Sequence, residues 1–366
     1  MANGEWRIGD GVAQGTLLFA IRYSLFATRY SLLTNWQLTS MDGKVTLEDH
    51  FATEATLGDS QPFGAHVWPE LRYRLLDFHE QRLRLMDAAG IEIMIASLNA
   101  PAIQGIANIK RAAEVAREAN DILAEQIARR RDRFAAVAAL PMQDPELASR
   151  ELERCVRDLG MCGALVNGYS QVEGSNVPIH YDLPQYRSFW RTVCDLDVPF
   201  YLHPRPPVPA TLPLFAGHSW LFGPTWSFAG DTSLHALRLI GSGLFDEYPR
   251  LQIILGHLGE GLPFFIWRID NRNNWMKAPH KYAARKRVVD YFRSNLHLTT
   301  SGHFSTPALI NAITEIGPER VMFSVDYPFE DFSDAAEWFD SAQISEADRL
   351  AVGRTNALNL FKLDSR

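Results

Sequence analysis

The chain lacks the features that mark several large classes of protein. Its 366 residues include only three cysteines, Cys155, Cys162 and Cys194, and this odd number without C-x-x-C spacing argues against a disulfide framework or a thiolate zinc site. Buried thiols in a reducing cytoplasm are expected. Positive charge is also short, since 36 Lys and Arg against 43 Asp and Glu leave a net charge of −7 and no basic footprint for nucleic acid. No apolar run reaches the roughly 18 residues of a membrane helix. The stretch from Thr16 to Ile21 is broken by Arg22 and Arg29 and is followed by no small-residue cleavage site, so neither a membrane anchor nor a signal peptide is expected. A G-x-G-x-x-G turn after an early strand is missing as well, which argues against a doubly wound dinucleotide fold.

What is present is an ordinary globular composition, 46% apolar and 22% charged, arranged in a repeating order. Short apolar runs fall at Val45–Leu47, Ile91–Ala96, Phe134–Ala138, Ala164–Val166, Pro199–Leu202, Gln252–Leu255, Leu296–Leu298 and Val321–Phe323. Helical patterns separate them, at Leu71–Ala89, Ala107–Arg130, Pro145–Leu159, Gln185–Leu196, Ser233–Tyr248 and Thr306–Ile316. Gly90, Gly160 and Gly317 stand just past three of these as stop signals. Eight near-continuous apolar strands alternating with helices predict a parallel α/β sheet closed into a single (β/α)8 TIM barrel over residues 41–366. Residues 1–40, with RYSLFAT at 22–28 echoed by RYSLLT from Arg29, share none of this pattern. They are expected to lie outside the fold, with Met41 as a possible natural start.

A barrel of this kind builds its active site where strands end, and the polar residues collect there. Glu48 and His50 follow the first run within GKVTLEDHF, His203 follows the fifth, and Asp326 follows the eighth. Two residues apart on an extended segment, Glu48 and His50 point the same way, and imidazole with carboxylate suits a divalent cation. The four are candidate metal ligands. Asn167 closes the fourth run with a neutral amide, where a two-metal barrel commonly wants a bridging carboxylate, so one metal is expected. His257 and Glu260 in GHLGE form a candidate catalytic pair, the carboxylate fixing the tautomer of the ring from the first turn of a helix. The aromatics Phe51, Phe63, Trp68, Trp226, Phe228 and Phe329 fall in or near the predicted loops and could wall a flat ring. Arg268, in WRID, suits either a local ion pair or a subunit contact.

With these residues in view, the chain from Met41 almost to its end resembles the decarboxylating branch of the amidohydrolase superfamily. The likeness runs through GKVTLEDHFATEATL, SLNAPAIQ, ALPMQDPELA, GALVNGYSQ, LHPRPP, ILGHLGEGLPF and FSVDYPFE. It implies one Zn²⁺ or Mn²⁺ per subunit on Glu48, His50, His203 and Asp326, with His257 and Glu260 as the catalytic pair. Substrate contacts are implied at Phe63, Asn167, Phe329 and, from a neighbouring subunit, Arg268. A homotetramer follows by the same likeness. The implied reaction is non-oxidative, reversible decarboxylation of an ortho-hydroxybenzoate, with Asp326 as proton donor; His50 favours 2,6-dihydroxybenzoate, giving resorcinol and CO₂, over 2,3-dihydroxybenzoate or salicylate. Metal-dependent hydrolysis of a lactone or amide is the rival from another reaction class, and a metal-stabilised scaffold without turnover is the rival outside enzymes.

Overall fold

A computed structural model describes residues 40–363 apart from 64, 176 and 277–281, and for Phe63 the backbone alone. The chain divides into two compact units between Ser40 and Met41. The expectation for the segment up to residue 39 therefore falls outside the described residues.

All eight predicted strands form. They are β1 Lys44–Phe51, β2 Ile91–Leu98, β3 Phe134–Ala136, β4 Ala164–Asn167, β5 Phe200–His203, β6 Ile253–Leu255, β7 Leu296–Thr299 and β8 Val321–Met322. Every registered pair is parallel, β1 to β3 making one run and β4 to β8 the other. A parallel bridge from Ala138 to Ala164 joins the two runs. At the opposite seam the His50 N–H donates to the Tyr327 carbonyl, and together these close the sheet into a TIM barrel. Side chains alternate along the strands as the pleat requires. Val45, Leu47, Ile95, Tyr201, Ile254 and Met322 fill the interior, with Leu358, Phe361 and Leu363 of the C-terminal segment packed against them. Ile91, Met94, Ala96, Phe134 and Leu202 face outward into the layer beneath the helices.

Two predicted helices are shorter than expected. The pattern over 71–89 is two helices, Trp68–Leu76 and Gln81–Ala88, because the Asp77 carboxylate accepts from the Glu80 and Arg82 N–H groups and starts the second. The pattern over 233–248 likewise ends at Gly241 and resumes at Leu244, across Gly243 in the left-handed region. Phe51, expected near a pocket, is a core residue packed on Phe78.

Candidate metal centre

The first strand does not reach the site by simple alternation. Val45 and Leu47 face the barrel interior, so a regular pleat would turn Glu48 and His50 outward to the helices. Instead Leu47 pairs with Ile95 and Asp49 with Ala96, leaving Glu48 as an extra residue in a bulge at φ 60°. The bulge resets the pleat. Glu48 and His50 then point inward together, and Asp49 takes the outward place beside Thr46. His203 arrives with less contrivance, two residues after inward-facing Tyr201 on β5.

Ligand atoms of Glu48, His50, His203 and Asp326 lie within 4.8 Å of one another. His203 Nδ1 is 2.8 Å from Asn167 Oδ1, and His50 Nδ1 is 3.1 Å from Ser97 Oγ, whose own proton goes to the Asp49 carbonyl at 3.5 Å; facing two acceptors, each ring donates outward and turns its Nε2 lone pair inward. Those lone pairs face carboxylate oxygens, His203 Nε2 to Glu48 Oε1 at 3.3 Å and His50 Nε2 to Asp326 Oδ1 at 3.2 Å. Lone pair against lone pair is repulsive unless a cation sits between them. Glu48 repeats the point. Its Oε2 accepts from the Tyr201, Ser301 and Thr299 hydroxyls, whereas Oε1 is buried without a hydrogen bond. A buried carboxylate oxygen left bare costs stability. Two imidazoles and two carboxylates converging in this way fit one divalent ion of the Zn²⁺ or Mn²⁺ kind.

Gly256 makes room for this group. A Cβ there would sit 2.8 Å from both Glu48 oxygens, so a glycine just past β6 leaves Glu48 room to lie across the barrel mouth. The next five residues, His257 to Gly261, all have positive φ. This corrects the expectation of a first helical turn: the His257–Glu260 pair is built on a left-handed run, and the regular helix starts only at Leu262. Such strain persists where surrounding contacts hold it. The pairing itself forms, with His257 Nδ1 2.8 Å from Glu260 Oε1, and His257 Nε2 looks toward Glu48 Oε1 at 3.6 Å and Asp326 Oδ2 at 3.7 Å.

Charge at these groups follows from burial set against near neighbours. Burial alone would drive His257 neutral, but the Glu260 and Glu48 carboxylates outweigh it and hold the ring well above its ordinary range. Burial would raise Glu48, yet His257, with the Ser301 hydroxyl, holds it well below the usual carboxylate range. Asp326 is also lowered against burial, chiefly by His257. Burial lowers His203 in spite of Glu48, which keeps it neutral and able to ligate.

The remaining expected contacts divide. Phe329 stands edge-on to His50 with ring centroids 5.9 Å apart. Asn167, expected as a substrate contact, has Oδ1 on His203 and Nδ2 on the Asn99 carbonyl at 2.9 Å. Arg268 lies on the exposed outer face of helix Leu262–Trp275. The Phe63 side chain falls outside the described residues, and Trp226 is exposed. Sequence reasoning missed the hydroxyls of Tyr201 and Thr299. Their two-residue offsets from His203 and Ser301 are the signal that could have found them.

Comparison with known proteins agrees with a metal-dependent barrel enzyme of the amidohydrolase type, whose family model matches residues 63–363. The chain is 60% identical to a γ-resorcylate decarboxylase from Rhizobium radiobacter over 327 residues, covering 89% of this chain and 100% of that one. Among solved structures, a 2,6-dihydroxybenzoate decarboxylase complexed with 2,6-dihydroxybenzoate superposes with a TM-score of 0.86 at 59% identity, over 88% of this chain and 100% of that one. A dihydroxybenzoic acid decarboxylase from Polaromonas sp. JS666, with bound manganese and the inhibitor 2-nitroresorcinol, gives 0.86 at 61% identity over 88% and 98%. The chain belongs to the amidohydrolase family, and within it to the γ-resorcylate decarboxylases.

Proposed function

We propose that the protein decarboxylates 2,6-dihydroxybenzoate to resorcinol and CO₂, reversibly and without oxidation, using one divalent ion held by Glu48, His50, His203 and Asp326. The observation that carries this reading is the pair of facing lone pairs around an orphaned Glu48 oxygen, in a chain 58–61% identical to four γ-resorcylate decarboxylases. Zn²⁺ or Mn²⁺ suits the donor set, and when bound it supplies Lewis-acid stabilisation of negative charge on an ortho oxygen.

The protein's own residues manage the proton. Losing CO₂ from an aromatic ring needs somewhere for the C–C electrons to go. Asp326 protonates the ring carbon that bears the carboxylate; as that C–C bond breaks, its electron pair restores the aromatic ring and CO₂ leaves. His257, paired with Glu260 through Nδ1, faces Asp326 Oδ2 at 3.7 Å, close enough to pass Asp326 the proton it delivers, with a small shift or through one water. Phe329 offers a flat edge beside His50 for the substrate ring.

The test is a panel of hydroxybenzoates incubated with metal-loaded protein, with CO₂ and phenolic product measured together. Resorcinol from 2,6-dihydroxybenzoate is the expected result. Preferential turnover of 2,3-dihydroxybenzoate or salicylate would move the substrate, a ring-opened acid from a lactone would mean hydrolysis, and bound metal without any product would sink the enzyme reading.

Three coarser features complete the proposal. Phe264, Trp267 and Trp275 are 77%, 72% and 72% exposed on helix Leu262–Trp275, an apolar surface that supports a homo-oligomer, with a tetramer and cross-subunit use of Arg268 as its specific form. A cytoplasmic location is supported by the low cysteine count, three in 366 residues and without C-x-x-C spacing. Separately, no helix among the described residues is long and apolar enough to cross a membrane. The sequence of residues 1–40 shares none of the strand and helix pattern of the barrel, so their deletion should leave melting temperature and turnover unchanged. Comparing the two proteins by thermal unfolding and initial rate checks this, and a loss of several degrees would show that the segment packs on the fold.

A further inference from the structure

The metal ligands leave one charged residue of β1 unexplained. Asp49 lies between Glu48 and His50, is fully buried, and faces away from the site toward the helices. Neither carboxylate oxygen is idle. Oδ1 accepts the Tyr327 backbone N–H at 3.0 Å and Oδ2 accepts the Thr46 hydroxyl at 2.7 Å.

Those bonds lie at the seam of the barrel where β1 pairs only with β2 and β8 only with β7. In place of a ladder, the His50 N–H donates to the Tyr327 carbonyl and the Tyr327 N–H returns to Asp49. Arg82, also fully buried, backs the arrangement from helix Gln81–Ala88, donating through Nη2 to the His50 carbonyl at 2.8 Å, with its guanidinium 4.9 Å from the centre of the Tyr327 ring. The strand ends joined here carry His50 and Asp326. Asp326 immediately precedes Tyr327 and sits at φ 80°, in the left-handed region that few residues other than glycine adopt.

We propose that Asp49 is a positioning residue for the metal centre: by holding the Tyr327 N–H from a carboxylate that Thr46 has fixed, it sets Asp326 opposite His50. The inference rests on the ligand set proposed above. Without Asp49 the Tyr327 N–H loses its buried partner, the turn relaxes, and the 3.2 Å approach of His50 Nε2 to Asp326 Oδ1 widens. Only an acceptor at this place is needed, so an amide should serve where a methyl cannot.

Asp49→Ala, Asp49→Asn and Thr46→Val decide it. Mn²⁺ is titrated into chelator-stripped full-length protein, and its dissociation constant is read by competition with a fluorescent chelator. Loss of a partner outside the ligand shell typically weakens metal binding by about 10–100-fold; that is the expected loss for Asp49→Ala, with a smaller one for Thr46→Val and near wild-type affinity for Asp49→Asn. In metal-saturated protein Asp49→Ala and Thr46→Val should lose kcat with KM for 2,6-dihydroxybenzoate unchanged, a split that general loosening of the fold would not produce. Wild-type Mn²⁺ affinity in folded Asp49→Ala would overturn the proposal. So would an Asp49→Asn as weak as the alanine variant, because the charge and not the acceptor would then matter. Should Asp49→Ala fail to fold, the isosteric Thr46→Val decides alone, and wild-type affinity there overturns the proposal. A wild type that binds Mn²⁺ but releases no CO₂ would defeat the reaction proposed above and leave this measurement intact.

Discussion

Asp326→Asn should lower kcat by at least the roughly 10²–10⁴-fold that a positioned general acid contributes, even after the protein is reloaded with metal. The substitution keeps the shape of the side chain and one oxygen able to ligate, but the amide has no proton acidic enough to give a ring carbon. It therefore separates the two duties proposed for Asp326. Its surroundings argue for both: Oδ1 faces His50 Nε2 at 3.2 Å within the ligand group, and Oδ2 faces His257 Nε2 at 3.7 Å. Ring-proton exchange of resorcinol in D₂O gives a second reading, since it needs the same proton transfer without CO₂. Should the reloaded variant decarboxylate or exchange at near wild-type rate, Asp326 is not the donor and His257 becomes the first alternative.

The second large effect is expected at His203. Truncation to alanine removes a ligand from the ion itself, so His203→Ala should cost more than the ~10–100-fold in affinity that follows loss of a partner outside the shell. Metal and activity should disappear together. The barrel should survive, because His203 is the last residue of β5, above the packed interior formed by Tyr201, Ile254 and their neighbours. Metal content by mass spectrometry, with circular dichroism as the check on folding, measures both halves. Stoichiometric metal in the folded variant would remove His203 from the ligand set.

The strands and the ligand types were legible in the sequence because both rest on local signals. A buried parallel strand must be nearly all apolar, so runs such as IIL at 253–255 could be read without knowing what packs on them. A carboxylate or imidazole directly after such a run has few bland explanations, and this made His203 and Asp326 visible as members of one group. The barrel then followed from the count and order of the runs.

The third dimension decided how those residues face one another. Alternation from Val45 and Leu47 would have turned Glu48 and His50 toward the helices, and a one-residue bulge, which no local pattern announces, brought them in. The left-handed run from His257 to Gly261 depends on contacts across the barrel mouth. Tyr201 and Thr299 bind Glu48 across 153 and 251 residues of sequence, and Asp49 holds Tyr327 across 278. Residue types along the chain determined a parallel α/β barrel and a set of possible ligands. Which lone pairs meet, which carboxylate faces inward and which serves from behind are properties of strand register and closure, and these are settled only when the last strand returns to the first.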